Sequence, residues 1–281
     1  MKKILLAAAL SAAAMMGAYA QNSFVHEKSD GYQWPTDPEV LEKLDQWQDL
    51  KFGVLMHWGL YSVPGIVESW NICNEDWIRR PQGSTYEGYK QWYWGLSKVF
   101  NPVDFNPEQW ADVFEDAGMK YMIFTTKHHD GFCMFDSEYT DFTVAKAGPF
   151  ASNPKKDIAK YVFDAFRPKG FMIGAYFSKP DWHCEWFWNL WLDGGWIRGD
   201  QVGLDEVLPE ARRVSPGLIC VDRTIQGPNE NYQTPEQSVP ATQIAHPWES
   251  CMTLGTDWGW TPNPRFKTAR RVIGTLAEIT A

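Results

Sequence analysis

Short apolar runs alternate with amphipathic stretches along the chain, and most runs end in a polar or ionisable cluster. Residues 51–58 form the first run and end in His57-Trp58-Gly59, with a turn at Val63-Pro64-Gly65 behind it. Residues 120–127 deliver His128-His129-Asp130-Gly131-Phe132, and 171–178 lead into Lys179-Pro180-Asp181-Trp182-His183. Leu190-Trp191-Leu192 ends in Asp193, where Gly194-Gly195 releases the backbone, and 217–222 ends in Asp222-Arg223. Residues 67–70 and 248–251 are shorter candidates. Runs of this length, bounded by turn residues, predict strands buried on both faces.

Helical patterns fall between them. Residues 33–49 read as a lead-in and helix opened by Pro35 and Pro38, with Leu41, Leu44 and Trp47 on one face. Asn106-Pro107 supplies an N-cap and a proline at the first helical position, and Gly118 supplies the stop. Further helices are predicted from Asn153-Pro154 to about Phe166, over 204–213 and over 268–279, while polar, aromatic 71–101 reads as a long loop. Strands alternating with helices predict a parallel α/β fold of the (β/α)8 barrel type, whose strand ends converge on one face. A doubly wound sheet fits less well, because no glycine-rich phosphate loop follows any strand.

Composition narrows the picture. Lys2 and Lys3, an Ala-rich apolar run from Ile4, and Ala18-Tyr19-Ala20 before Gln21 have the layout of a secretory signal peptide over 1–20. The run is short for a bilayer span and no cysteine stands directly after the cleavage site, so export without a membrane anchor is expected, to a bacterial periplasm or beyond. Residues 21–281, about 260 in all, suit one barrel domain. A net charge of −9 argues against a nucleic-acid partner. The five cysteines form no C-x-x-C pair, so neither a zinc ribbon nor a disulfide scaffold is expected. Sixteen tryptophans, several beside Asp, His, Glu or Gly, add a slight lean towards sugar-handling surfaces.

His57, His128, His129, His183, Asp193, Asp222, Arg223, Glu236 and Glu249 all fall at or after predicted strand ends. Two chemistries compete for them. One is a metal held by His128, His129 and Asp193. Neighbouring histidines on a strand point to opposite faces, however, unless the backbone turns between them, and H-E-x-x-H spacing is absent. The other is glycoside cleavage by two carboxylates, one ionised and one protonated. The second is preferred, with neither metal nor cofactor expected.

Four stretches in this order carry a resemblance: His57-Trp58-Gly59, Lys127-His128-His129-Asp130-Gly131-Phe132, Trp191-Leu192-Asp193-Gly194 and Val221-Asp222-Arg223. Together they resemble the α-L-fucosidases of glycoside hydrolase family 29, over residues 32–279. The resemblance implies a retaining hydrolase acting on a fucosylated oligosaccharide or glycoconjugate, with Asp193 as nucleophile. It implies sugar-binding roles for His57, His128, His129, Trp191 and Arg223, and for Glu68 and Trp70, here separated by Ser69. The acid/base is expected at Glu236, fourteen residues past Asp222, with Glu230 and Glu249 as alternatives. The stretch 230–236 faintly suggests the branch restricted to α-1,3/1,4 linkages. Asp130 is left out as a turn cap.

Two departures from the family pattern are read in the sequence. About ten residues separate the run ending near Ser178 from the one starting near Asn189, where a parallel crossover needs a dozen or more. The chain also stops after the 268–279 helix, where an eighth strand and a C-terminal β-sandwich are expected. An incomplete barrel is therefore predicted. The alternatives are a catalytically impaired fucose-binding remnant and, behind it, an exported metallohydrolase.

Overall fold

The computed structural model describes residues 33–73, 80–184, 204–221, 229–241 and 246–280. They fall into two compact units. One holds the described residues of Asp49–Ile197 and Thr253–Ile273, the other those of Met1–Gln48, Arg198–Met252 and Gly274–Ala281.

The larger unit is built on a three-stranded parallel sheet. Its strands are β1 (Gly53–Met56), β2 (Tyr121–Lys127) and β3 (Met172–Phe177), in the order β1-β2-β3. Gly53 pairs with Tyr121 and Tyr121 with Met172, so the three strands start level; β1 ends at Met56 opposite Phe124, while β2 and β3 run on to the Lys127–Phe177 pair. The register shifts between Thr125 and Lys127, the last positions of β2. Such irregularities re-aim the side chains that follow.

Helix α3 (Pro107–Asp116) lies on the crossover from β1 to β2, and α4 (Ile158–Phe166) on that from β2 to β3. The sequence signals for α3 act as expected. Asn106 Oδ1 accepts from the Gln109 N–H at 3.0 Å, Pro107 occupies the first turn, and Gly118 closes the helix. Helix α4 starts later than Asn153-Pro154 predicts, because Asp157 provides its cap by accepting from the Lys160 N–H at 3.1 Å. Phe124, Met122, Val162, Phe166, Phe150 and Trp182 belong to one buried cluster that fixes sheet and helices together.

Two expectations in this unit are corrected. Residues 67–70 are not a strand: Glu68 caps a 3₁₀ turn, Ser69–Ile72, by accepting the Trp70 N–H at 3.0 Å. The expected loop over 71–101 contains helix α2 (Tyr86–Gly95), capped by the Thr85 hydroxyl, with Tyr89 and Tyr93 buried. Its inner face is aromatic rather than aliphatic, which obscures the helical period.

Helix α1 (Pro38–Leu50), in the smaller unit as far as Gln48, buries Val40, Leu44 and Trp47, and Trp47 packs on Tyr232 at 4.3 Å between ring centroids. Leu41, expected on this face, is exposed. Helix α5 (Leu204–Val214) occurs where predicted, and so does α6 (Ala269–Thr280), whose residues divide between the two units. Residues 217–221 are not a strand, and 248–251 forms only isolated parallel bridges, Gln233 to Trp248 and Glu236 to Cys251. The reason is chemical. Gln233 N–H donates to Pro247 O, Glu249 N–H to Gln233 O, Cys251 N–H to Pro235 O and Gln237 N–H to Cys251 O. The rung missing from that series would be donated by residue 235, a proline, which has no N–H. Among the described residues no helix is long and apolar enough to cross a membrane.

Candidate active site

The C-terminal ends of β1 and β2 and the Glu68 turn assemble a cluster within the larger unit. His57 follows β1, and its Nδ1 lies 3.1 Å from the Thr125 hydroxyl of β2. His128 and His129 follow β2. The backbone turns at once, with the Gly131 N–H donating to His128 O at 3.1 Å and Gly131 at φ +81°, a conformation L side chains rarely adopt. This turn removes the objection to adjacent histidines sharing a site. The two rings lie 4.2 Å apart, and His57 meets His128 edge-on at 4.6 Å.

Each histidine is oriented by a hydroxyl at Nδ1: Thr125 for His57, Ser69 for His128 and Ser178 for His129. Glu68 Oε2 lies 3.6 Å from His128 Nδ1. Aromatic rings complete the walls. Tyr61 stacks on His57 and Tyr176 on His128, while Trp70 and Trp182 enclose His129 at 5.1 and 4.9 Å. Ser69, Ser178, Thr125, Tyr61, Tyr176 and Trp182 were not singled out by the sequence reading. Only the position of Ser69 between Glu68 and Trp70, and of Ser178 at the end of its run, offered a signal. His183 stacks flat on Phe142 at 4.0 Å and serves packing.

The electrostatics follow from burial. His129 is held neutral, its pKa pushed down to about 3, first by burial and then by the charges of Lys127 and His57. Asp130 is buried more deeply than a simple turn cap. Its carboxylate accepts from the Tyr93 hydroxyl at 2.7 Å and the Phe132 N–H at 3.2 Å, and burial raises its pKa to about 6. Burial, with the charges of Asp130 and Glu68, pushes the Tyr61 hydroxyl far up, so it stays protonated. Lys127, also buried, donates to Pro180 O at 3.0 Å and lies 3.7 Å from Asp181.

His57, Glu68 and His128 each offer a ligand atom, all within 4.8 Å of one another. Zinc bonds of about 2.0–2.1 Å put tetrahedral ligands roughly 3.3 Å apart, so a metal would require these groups to close in. A sugar ring, whose hydroxyls are spread over several ångströms, suits the wider spacing.

Asp193, Trp191 and Arg223 lie outside the described residues. Glu236 lies in the smaller unit, half-buried, on the segment hydrogen-bonded to residues 247–251. Of the alternatives there, Glu230 is buried and Glu249 half-buried. Asn231 anchors the segment, its side-chain oxygen accepting from Arg212 at 3.1 Å and from the Cys220 N–H at 2.9 Å.

The sequence model of one family, described as Alpha-L-fucosidase, matches residues 19–190 and 188–281. The two matches meet where the sequence reading places a missing crossover. A putative α-L-fucosidase of Caenorhabditis elegans is 30% identical over 196 residues, covering 64% of this chain and 38% of that protein. The plasma α-L-fucosidase of Homo sapiens is 27% identical over 265 residues, covering 78% of this chain and 56% of that protein. The chain thus spans about half the length of such relatives or less. Among solved structures, α-L-fucosidase isoenzyme 1 from Paenibacillus thiaminolyticus superposes with a TM-score of 0.67 at 28% identity, over 85% of this chain and 68% of that one. An α-fucosidase of Thermotoga maritima, solved with a mechanism-based inhibitor, gives 0.64 at 25% identity, over 88% and 68%.

Proposed function

This chain belongs to the α-L-fucosidase family, and on that premise we propose that it is an exported, retaining α-L-fucosidase of the incomplete-barrel type, releasing fucose from fucosylated glycans. The observation that carries the reading is the cluster of His57, Glu68, His128 and His129, with the Trp70 and Trp182 rings packed on His129. A neutral imidazole has one donor and one acceptor, and a carboxylate accepts; together they suit ring hydroxyls. The half-buried indole of Trp70 suits the apolar C–H face and methyl group of a deoxy sugar, while Trp182 backs His129 from the core.

In this reading Asp193 attacks the anomeric carbon while Glu236 gives its proton to the leaving oxygen. Glu236 then activates water, which hydrolyses the glycosyl–Asp193 ester and regenerates both groups. Trp191 and Arg223 complete the sugar site. Neither step calls for a metal.

The test is hydrolysis of an aryl α-L-fucoside by residues 21–281, with Asp193→Ala and Glu236→Gln alongside. Turnover lost in Asp193→Ala, and partly restored by azide as a fucosyl azide, supports the nucleophile. First-formed product in the α configuration, read by proton NMR before mutarotation, supports retention. A β product overturns retention, and turnover abolished by a chelator overturns the metal-free route. Export predicts a mature N-terminus at Gln21, read by mass spectrometry of the exported protein.

A further inference from the structure

One aromatic surface of the larger unit is left unused by the pocket. The turn Asp257-Trp258-Gly259-Trp260 seats on the segment that leads into Glu68. Gly259 lies so close to the carbonyl of Val67, the residue before Glu68, that a Cβ there would overlap its oxygen. Across the same junction a Cβ on Gly65 would lie 2.7 Å from Pro262 Cδ and 2.8 Å from Trp260 Cζ3. Two glycines thus allow the turns to interlock. The outer one is tied at its base by the Lys267 N–H donating to Leu254 O at 2.8 Å, and braced by the Thr261 hydroxyl on Asp257 at 3.4 Å.

Despite this fixing, Trp260 remains 55% exposed. A large ring held against a glycine turn, yet open to solvent, is a preformed platform: ligand stacking would cost little further ordering. Its chain position ties it to the pocket, since the turn rests on the residue next to Glu68.

We propose that Trp260 is the stacking platform for the pyranose ring to which the fucose is joined, and so sets the preference for fucosyl-oligosaccharides over simple fucosides. This rests on the fucosidase reading above.

The readout is the ratio of kcat/KM for a fucosyl disaccharide to kcat/KM for α-L-fucosyl fluoride, whose leaving group has no ring to stack. A panel of α-1,2-, α-1,3-, α-1,4- and α-1,6-linked disaccharides selects the best substrate. Trp260→Ala is expected to lower the ratio at least ten-fold, mainly through KM, and Trp260→Phe to restore most of it. A ratio within two-fold of wild type overturns the proposal. So does an equal loss on both substrates, which would make Trp260 part of the pocket's framework. An unmoved ratio with a changed mass in light scattering would instead assign the surface to self-association. Wild type inactive on fluoride and disaccharides alike overturns the fucosidase reading itself, a different result from any of these.

Discussion

Replacing Asp130 by Asn removes one charge from the centre of the site framework while nearly preserving shape, and its effect is expected to depend on pH in a specific direction. Burial raises the Asp130 pKa from 3.8 to about 6, against opposing pulls from Tyr93, the Phe132 N–H and Lys127. Below about pH 3 folded and unfolded chains both hold this proton, and the contribution to stability is fully present. As pH climbs towards 6 the unfolded chain releases the proton while the folded chain still holds it, so stability falls. The fall is complete once the folded group has also ionised. Two pKa units at about 1.4 kcal/mol each give roughly 3 kcal/mol. The amide of the variant carries no such proton, and every other carboxylate is common to both proteins and cancels. Urea unfolding of wild type and Asp130→Asn at half-unit steps from pH 3 to 7 should therefore show the difference moving in the variant's favour by about 3 kcal/mol. A difference constant within about 0.5 kcal/mol, or one moving against the variant as pH rises, would refute the burial argument.

Three further outcomes are expected. Gly131→Ala forces a side chain into a left-handed turn and against Asp181 and His183; it should cost about 2 kcal/mol, read as a fall of about 5 °C in Tm. His129→Asn should lower kcat/KM on a fucoside about ten-fold or more by removing a pocket partner. Because His129 is neutral above about pH 3, the midpoint of the acid limb should stay in place, and a shift beyond half a unit would contradict its assigned state. Lys127→Ala, which removes a buried chain and its contacts to Pro180 and Asp181, should destabilise by about 3 kcal/mol in urea unfolding, and Lys127→Met by about half that, since the methionine keeps the packing.

The parallel α/β pattern was legible because the described strands are compact apolar runs and α3 carries its own start and stop signals, at Asn106-Pro107 and Gly118. The pocket histidines were legible because they sit directly after such runs. What escaped the sequence has physical causes. Glu68 ends a would-be strand by bonding to its own neighbouring backbone, an interaction set by geometry rather than composition. Helix α2 hid behind an inner face of tyrosines. The bridges around residues 233–251 do not extend because one needed donor is Pro235. Asp130 read as a cap and is one, but its second partner, Tyr93, lies 37 residues away and only folding brings it near.

The hydroxyls behind the histidines carry a last consequence. A backbone carbonyl at Nδ1 can only accept, and would commit its imidazole to one tautomer. Thr125 and Ser178 can reverse their O–H bonds and serve either way. His57 and His129 can therefore exchange donor for acceptor on the cavity side without moving a heavy atom. A cluster of this kind can follow a ligand whose own hydroxyls reorient, answering each new polarity by a proton's rotation rather than a side chain's displacement.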